Sequence, residues 1–186
     1  MPNVYLIDIF NTISTNIRPQ MLQTLQGYFN QLAKPPVPAM TCSWLATTVT
    51  ATDLDILVYF LPFAKSLARK IYPKAPSPIS GHDGLTIGDN PRISEVYVHT
   101  VDPTILADLT LHEIMHMKLK KGNEMHVLGG MAAATVTPTT KLTPQNIQLL
   151  APALKTPLPQ WTAGIQMMLD MVKAKASGDP MVDLLE

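Results

Sequence analysis

The chain has 186 residues, no net charge at neutral pH, 46% apolar residues and only 15% charged ones. That length supports one core-bearing domain, and the absence of a basic run argues against nucleic acid as a partner, because phosphate binding needs clustered Lys and Arg. A single cysteine, Cys42, excludes an internal disulfide and a thiolate zinc site.

Seventeen prolines punctuate the chain. Val4 to Phe10 is rich in β-branched and aromatic residues and predicts a strand. Pro19 can open a helix. Leu22, Leu25, Phe29 and Leu32 then recur at helical spacing, and the helix should stop before Pro35-Pro36. Ser43 to Thr50 and Ile56 to Leu61 predict two more strands, joined by a turn at Thr52 to Asp55. Cys42 lies in this apolar stretch and reads as a buried structural thiol. A loop rich in turn residues covers Pro73 to Asp83. Leu85 to Ile87 predicts a short edge strand, and the alternating Ser94 to Val101 another.

Asp102-Pro103 has the form of a helix start, with Asp as cap and Pro at the first helical position. The helix should run from Pro103 to about Lys121 and stop at Gly122. On a helical wheel Ile105, Leu109, His112, His116 and Leu119 share one side, while Ala107, Leu111, Ile114 and Met115 share the other. A helix apolar on both sides is a buried one. Lys118, Lys120 and Lys121 read as its solvated end, where cations suit the negative pole. Beyond Gly122 come a small apolar stretch (His126 to Ala134) and a Thr-rich loop. A short helix follows, capped by Thr143-Pro144 and ended by Pro152. Pro159 opens a last helix with Trp161, Ile165, Met168, Leu169 and Val172 on one face.

The expected fold class is therefore α+β. A small mixed sheet and its central helix form an N-terminal lobe over residues 1–122, and residues 123–186 form a smaller helical part, within one catalytic domain. No basic segment followed by a long apolar run opens the chain, and no stretch approaches about 18 uninterrupted apolar residues. The expectation is a soluble protein with no membrane span. It is made in the cytoplasm and stays there, leaves by a route that needs no N-terminal signal, or is a mature fragment.

Three of the five histidines fall between Leu111 and His126. Residues four apart on a helix stand about 6 Å apart along the axis on one face. His112 and His116 can therefore hold one ion. Zinc suits neutral imidazoles. Glu113 is rotated about 100° from His112, beside the ion rather than on it, where it can take a proton from the attacking water and pass it to a leaving amine. H-E-x-x-H on a helix is the motif of zinc-dependent proteases, and chance gives it in about three chains per thousand of this composition. A third protein ligand is needed. His126 and Glu124 both lie just past Gly122, within reach of a chain that turns back. Asp108, four residues before His112, could orient that imidazole or be an ordinary acidic helix residue. His82 sits in a loop, and His99 alternates within a strand.

These residues make the chain similar to the zincin metallopeptidases, and most similar to the metzincin group, over roughly residues 4 to 130 by pattern. His112, Glu113 and His116 match the family motif residue by residue. The metzincin pattern continues H-E-x-x-H-x-x-G-x-x-H. Here Gly122 stands six residues after His116 and His126 four beyond it, so His126 corresponds in type and order but not in spacing. The resemblance implies one catalytic zinc held by His112, His116 and His126, and Glu113 as general base. It also implies a methionine turn beneath the metal, for which Met131 is the counterpart. No tyrosine follows Tyr97, so the oxyanion-steadying tyrosine of some relatives has no counterpart. The implied activity is hydrolysis of a peptide or protein substrate, laid as an added strand along the edge near Leu85 to Ile87. Two alternatives stand beside it. One is a zinc-fold effector or a hydrolase of another amide bond. The other is a non-catalytic zinc protein serving as a binding module or a particle component, against which the intact Glu113 argues.

Overall fold

A computed structural model of the chain describes residues 2–8, 10–34, 37, 39–45, 52–62, 84–86 and 93–158. In chain order these form β1 (Asn3–Ile7), α1 (Arg18–Leu32), β2 (Thr41–Trp44), β3 (Ile56–Pro62), β4 (Gly84–Thr86), β5 (Ile93–Val98) and α2 (Pro103–Leu119). Two 3-10 turns follow, Asn123–Leu128 and Gly130–Ala132, and then α3 (Pro144–Ala153). The five strands make one mixed sheet in the order β2-β1-β3-β5-β4. β1 runs parallel to β2 and β3, and β3 parallel to β5. β4 closes the edge antiparallel to β5. The α+β class with a small mixed sheet is what the sequence pattern predicts.

The core lies between one sheet face and the helices. Val4, Leu6, Ile56, Val58, Phe60 and Val96 point into it from the strands, and Met21, Leu25 and Phe29 from α1. Leu106, Leu111, Ile114 and Met115 enter from α2, and Leu150 and Leu154 from α3. The alternate residues Ile7, Leu57, Tyr59, Leu61 and Tyr97 are buried as well. That is the continuous apolar signature of strands covered on both faces. Helix α2 is buried from Leu106 to Met115 without a break, as the two-sided apolar wheel predicts.

Several boundaries differ from the sequence expectation. β1 stops at Ile7, not Phe10, because the Asp8 carboxylate gathers the N–H groups of Thr12 and Ile13, the Thr12 hydroxyl and Arg18 at 2.8 Å each. That draws the chain into a loop. β2 begins at Thr41, two residues before Ser43, where the Gln26 side chain on α1 clips the Met40 carbonyl and the Cys42 N–H. The Thr52–Asp55 turn is present, closed by Asp55 N–H on the Thr52 carbonyl. β4 starts at Gly84, with Ile87 outside the described residues. β5 ends at Val98, so His99 lies just past the strand and bonds the Tyr97 carbonyl. Lys118 is not part of a solvated helix end: it is buried and its Nζ donates to the Thr156 carbonyl at 3.1 Å. The loop at Pro73 to Asp83 with His82, and the last helix from Pro159, lie outside the described residues. Among the described residues no helix is long and apolar enough to cross a membrane.

Candidate metal centre

Helix α2 starts as predicted. The Asp102 carboxylate accepts from the N–H groups of Thr104 and Ile105 at 2.8 and 3.3 Å, and Pro103 takes the first turn. It ends earlier than predicted, at Leu119. The chain reverses at Lys120, which takes the left-handed conformation (φ 53°), rather than at Gly122. The early stop has a local consequence: the Lys121 carbonyl swings back to within 2.7 Å of His116 Nδ1. His112 Nδ1 lies 2.9 Å from the Met131 carbonyl. A carbonyl only accepts, so both Nδ1 atoms carry the proton, and in the neutral rings both Nε2 atoms present lone pairs.

Those lone pairs face one another. His112 Nε2 and His116 Nε2 are 3.0 Å apart, and His116 Nε2 and His126 Nε2 are 3.2 Å apart. The donor atoms of all three histidines lie within 4.8 Å of one another. Between neutral His112 and His116 there is no proton to share, so the contact is unfavourable unless a cation joins it. Two nitrogens at about 2.0–2.1 Å from a tetrahedral ion stand about 3.3 Å apart, close to the observed spacing. The three residues fit a metal ion. His112 is buried, while His116 and His126 are half-buried, so the group opens to solvent on one side.

Burial holds the His112 imidazole down to about 4, more than the Met131 hydrogen bond raises it, with the neighbouring His116 and His126 adding to the depression. His116 is lowered too, again first by burial and also by His126, while the Lys121 carbonyl and Glu124 oppose. Neutral imidazole is the form that ligates metals.

His126 joins the group and Glu124 does not. The Glu124 carboxylate folds onto the backbone N–H of its own turn, at Glu124 and Gly122, and these bonds hold it below the ordinary carboxylate range. Asp108 does not orient His112. It accepts the Tyr28 hydroxyl of α1 at 2.5 Å, and its carboxyl is pushed up to about 6 by burial, with the Tyr28 bond opposing and Asp102 adding. The support of His112 comes instead from Met131, buried in the second 3-10 turn. That turn is entered through Gly129 and begins at Gly130, both at positive φ. It is pinned by Asn146 at the start of α3: Oδ1 accepts from Met131 N–H at 2.9 Å, and Nδ2 donates to the Gly129 carbonyl at 3.2 Å. Asn146 also completes a capping box with Thr143.

Glu113 is buried, on the side of α2 that meets β4 and β5. Thr86 Oγ1 lies 2.7 Å from Glu113 Oε2. Gly84 packs so closely that a Cβ there would fall 2.4 Å from Glu113 Oε1. Sequence reasoning missed Thr86, Gly84 and Asn146. Only Asn146 carried a signal, as the third residue after the Thr143 cap.

Neither a protein-family model nor a curated protein matches the chain. The fold and site define an α+β protein with a three-histidine group that could hold a metal ion.

Proposed function

We propose that the chain is a zinc-dependent peptidase of the zincin type, closest in motif to the metzincins. His112, His116 and His126 hold the ion and Glu113 acts as general base. The observation that carries this reading is the convergence of three Nε2 atoms, with the buried Glu113 following His112 in the sequence of α2. Three protein donors rather than four are the mark of a catalytic zinc, and within the described residues Glu124 stays out of the group. When bound, zinc lowers the pKa of water toward neutrality and polarises a carbonyl. Glu113 takes the proton of the attacking water and delivers it to the leaving amine. Substrate lies extended beside α2, along the β4 edge of the sheet. Edge pairing is tested with backbone-methylated peptides, because a substitution at Thr86 would also remove its hydroxyl from Glu113.

The test is elemental analysis of protein purified without added metal, followed by a quenched-fluorescence peptide library. About one zinc per chain, with cleavage abolished in Glu113→Gln but zinc kept, is the expected result. A wild type that binds no zinc ends the reading. Zinc without cleavage of any library peptide removes the peptidase assignment and leaves a metal-binding protein.

A further inference from the structure

Glu113 does not rest in an open cleft. Two hydroxyls meet it, one on the edge strand β4 and one on its neighbour β5. Thr86 Oγ1 is 2.7 Å from Glu113 Oε2 and 3.0 Å from the Glu113 carbonyl oxygen. Ser94 Oγ is 3.3 Å from that same carbonyl and 2.9 Å from Thr86 Oγ1. The two residues face each other across β4 and β5, so both hydroxyls project from the same sheet face toward α2.

Proton counting orders this cluster. Each hydroxyl has one proton to donate and can accept two. The shortest contact, to the carboxylate, is also the charge-assisted one and therefore the strongest. Thr86 accordingly donates to Oε2. Ser94 donates either to the Glu113 carbonyl or to Thr86, and both choices support the same arrangement. Gly84 completes the seat from the strand's other end, because any Cβ there would overlap Glu113 Oε1, Cδ and Cγ at 2.4 to 2.7 Å.

We propose that Thr86 is the positioning residue of Glu113, its hydroxyl anchoring one carboxylate oxygen to the sheet edge while Gly84 leaves the space the side chain needs. This rests on Glu113 being the base of a hydrolase. A base must sit within hydrogen-bond reach of the proton it removes, and a misplacement of about 1 Å can cost on the order of 100-fold in rate. One anchored oxygen fixes the direction of the carboxylate. It also ties the base to the strand that would receive the substrate, so base and substrate share one reference frame.

The test compares Thr86→Val, which keeps the shape and removes the hydroxyl, with Thr86→Ser, which restores it. Protein carrying 13C at the glutamate carboxyls gives four resonances, one for each of Glu95, Glu113, Glu124 and Glu186. Glu113→Gln identifies the one that matters. At fixed pH, with and without zinc, the Glu113 resonance should move and broaden in Thr86→Val and return to the wild-type position in Thr86→Ser. In peptide hydrolysis kcat should fall at least about tenfold in Thr86→Val with KM unchanged, recover in Thr86→Ser, and zinc content should hold throughout. An unmoved resonance in Thr86→Val overturns the proposal. So does a Thr86→Ser protein that behaves like Thr86→Val, since methyl packing would then be the cause. If Thr86→Val does not fold, Thr86→Ala is read in the same way. If wild type cleaves no peptide, the hydrolase reading fails on that result alone, and the carboxyl resonance still decides whether Thr86 seats Glu113.

Discussion

Asn146 is fully buried and makes the contacts that hold the Met131 turn under His112. Asn146→Ala removes the acceptor of the Met131 N–H and the donor to the Gly129 carbonyl. Leaving the buried N–H unpaired costs about 1–3 kcal/mol, and losing the reciprocal half of the capping box costs about 1 kcal/mol. Together these lower the melting temperature by roughly 10 °C for a chain of this size. Metal binding carries the sharper signature. The Met131 carbonyl fixes the His112 tautomer and ring direction, and loss of such support typically weakens metal affinity about 10- to 100-fold. The assay is thermal melting of metal-free protein alongside zinc competition against a chromophoric chelator. Leu150→Ala is the control: it opens a cavity under the same helix at about 2–5 kcal/mol without removing a hydrogen bond to the turn, so stability falls and zinc affinity stays. If Asn146→Ala loses stability but keeps wild-type zinc affinity, the relay from α3 to His112 is refuted.

Four further outcomes follow from the geometry. His126→Ala should lose most of its metal and Glu124→Ala should keep it, by elemental analysis; the reverse pattern would replace the third ligand. Gly84→Ala forces Glu113 about 1 Å from its seat, so the melting temperature should drop while zinc stays; an unperturbed melt would show that the side chain yields freely. The pH dependence of the metal-free protein divides by sign. His112 is lowered from 6.5 to about 4, so the unfolded chain binds the extra proton between these values, and its contribution, complete above pH 6.5, is lost as pH falls toward 4. Asp108 is raised from 3.8 to about 6, so its contribution is complete below pH 3.8 and is lost as pH rises through 6. Asp108→Asn should therefore gain on wild type between pH 4 and 7 in urea melts; a constant difference would sink the assignment. Last, burial pushes the Cys42 thiol up to about 12, so alkylation at neutral pH should await unfolding, and rapid labelling of native protein would contradict the burial.

What the sequence made legible was what depends on neighbours along the chain. Periodicity placed α1 and α2, Asp102-Pro103 and Thr143-Pro144 marked the starts of α2 and α3, and spacing paired His112 with His116. The stop of α2 was misplaced because a left-handed Lys120 is set by tertiary demand, the return of the Lys121 carbonyl to His116, and a lysine gives no hint of it. Asp108 invited a link to His112 by spacing, yet Tyr28 from another helix claims it. Thr86 looked like an ordinary edge-strand residue and Gly84 like the end of the loop before it, since only the packing of β4 over α2 reveals what they face.

The two halves of the site also differ in how far the chain must travel to assemble them. The histidine contacts span sequence separations of 4 and 10 residues, whereas the Thr86 contact to Glu113 spans 27. Short loops close faster and at less entropic cost than long ones. Refolding with zinc present should thus capture the ion in an early kinetic phase, before the sheet edge arrives to seat Glu113. On the peptidase reading proposed above, a metal-loaded species with Glu113 not yet seated would precede the finished protein, visible in stopped-flow as chelator protection that runs ahead of peptide cleavage.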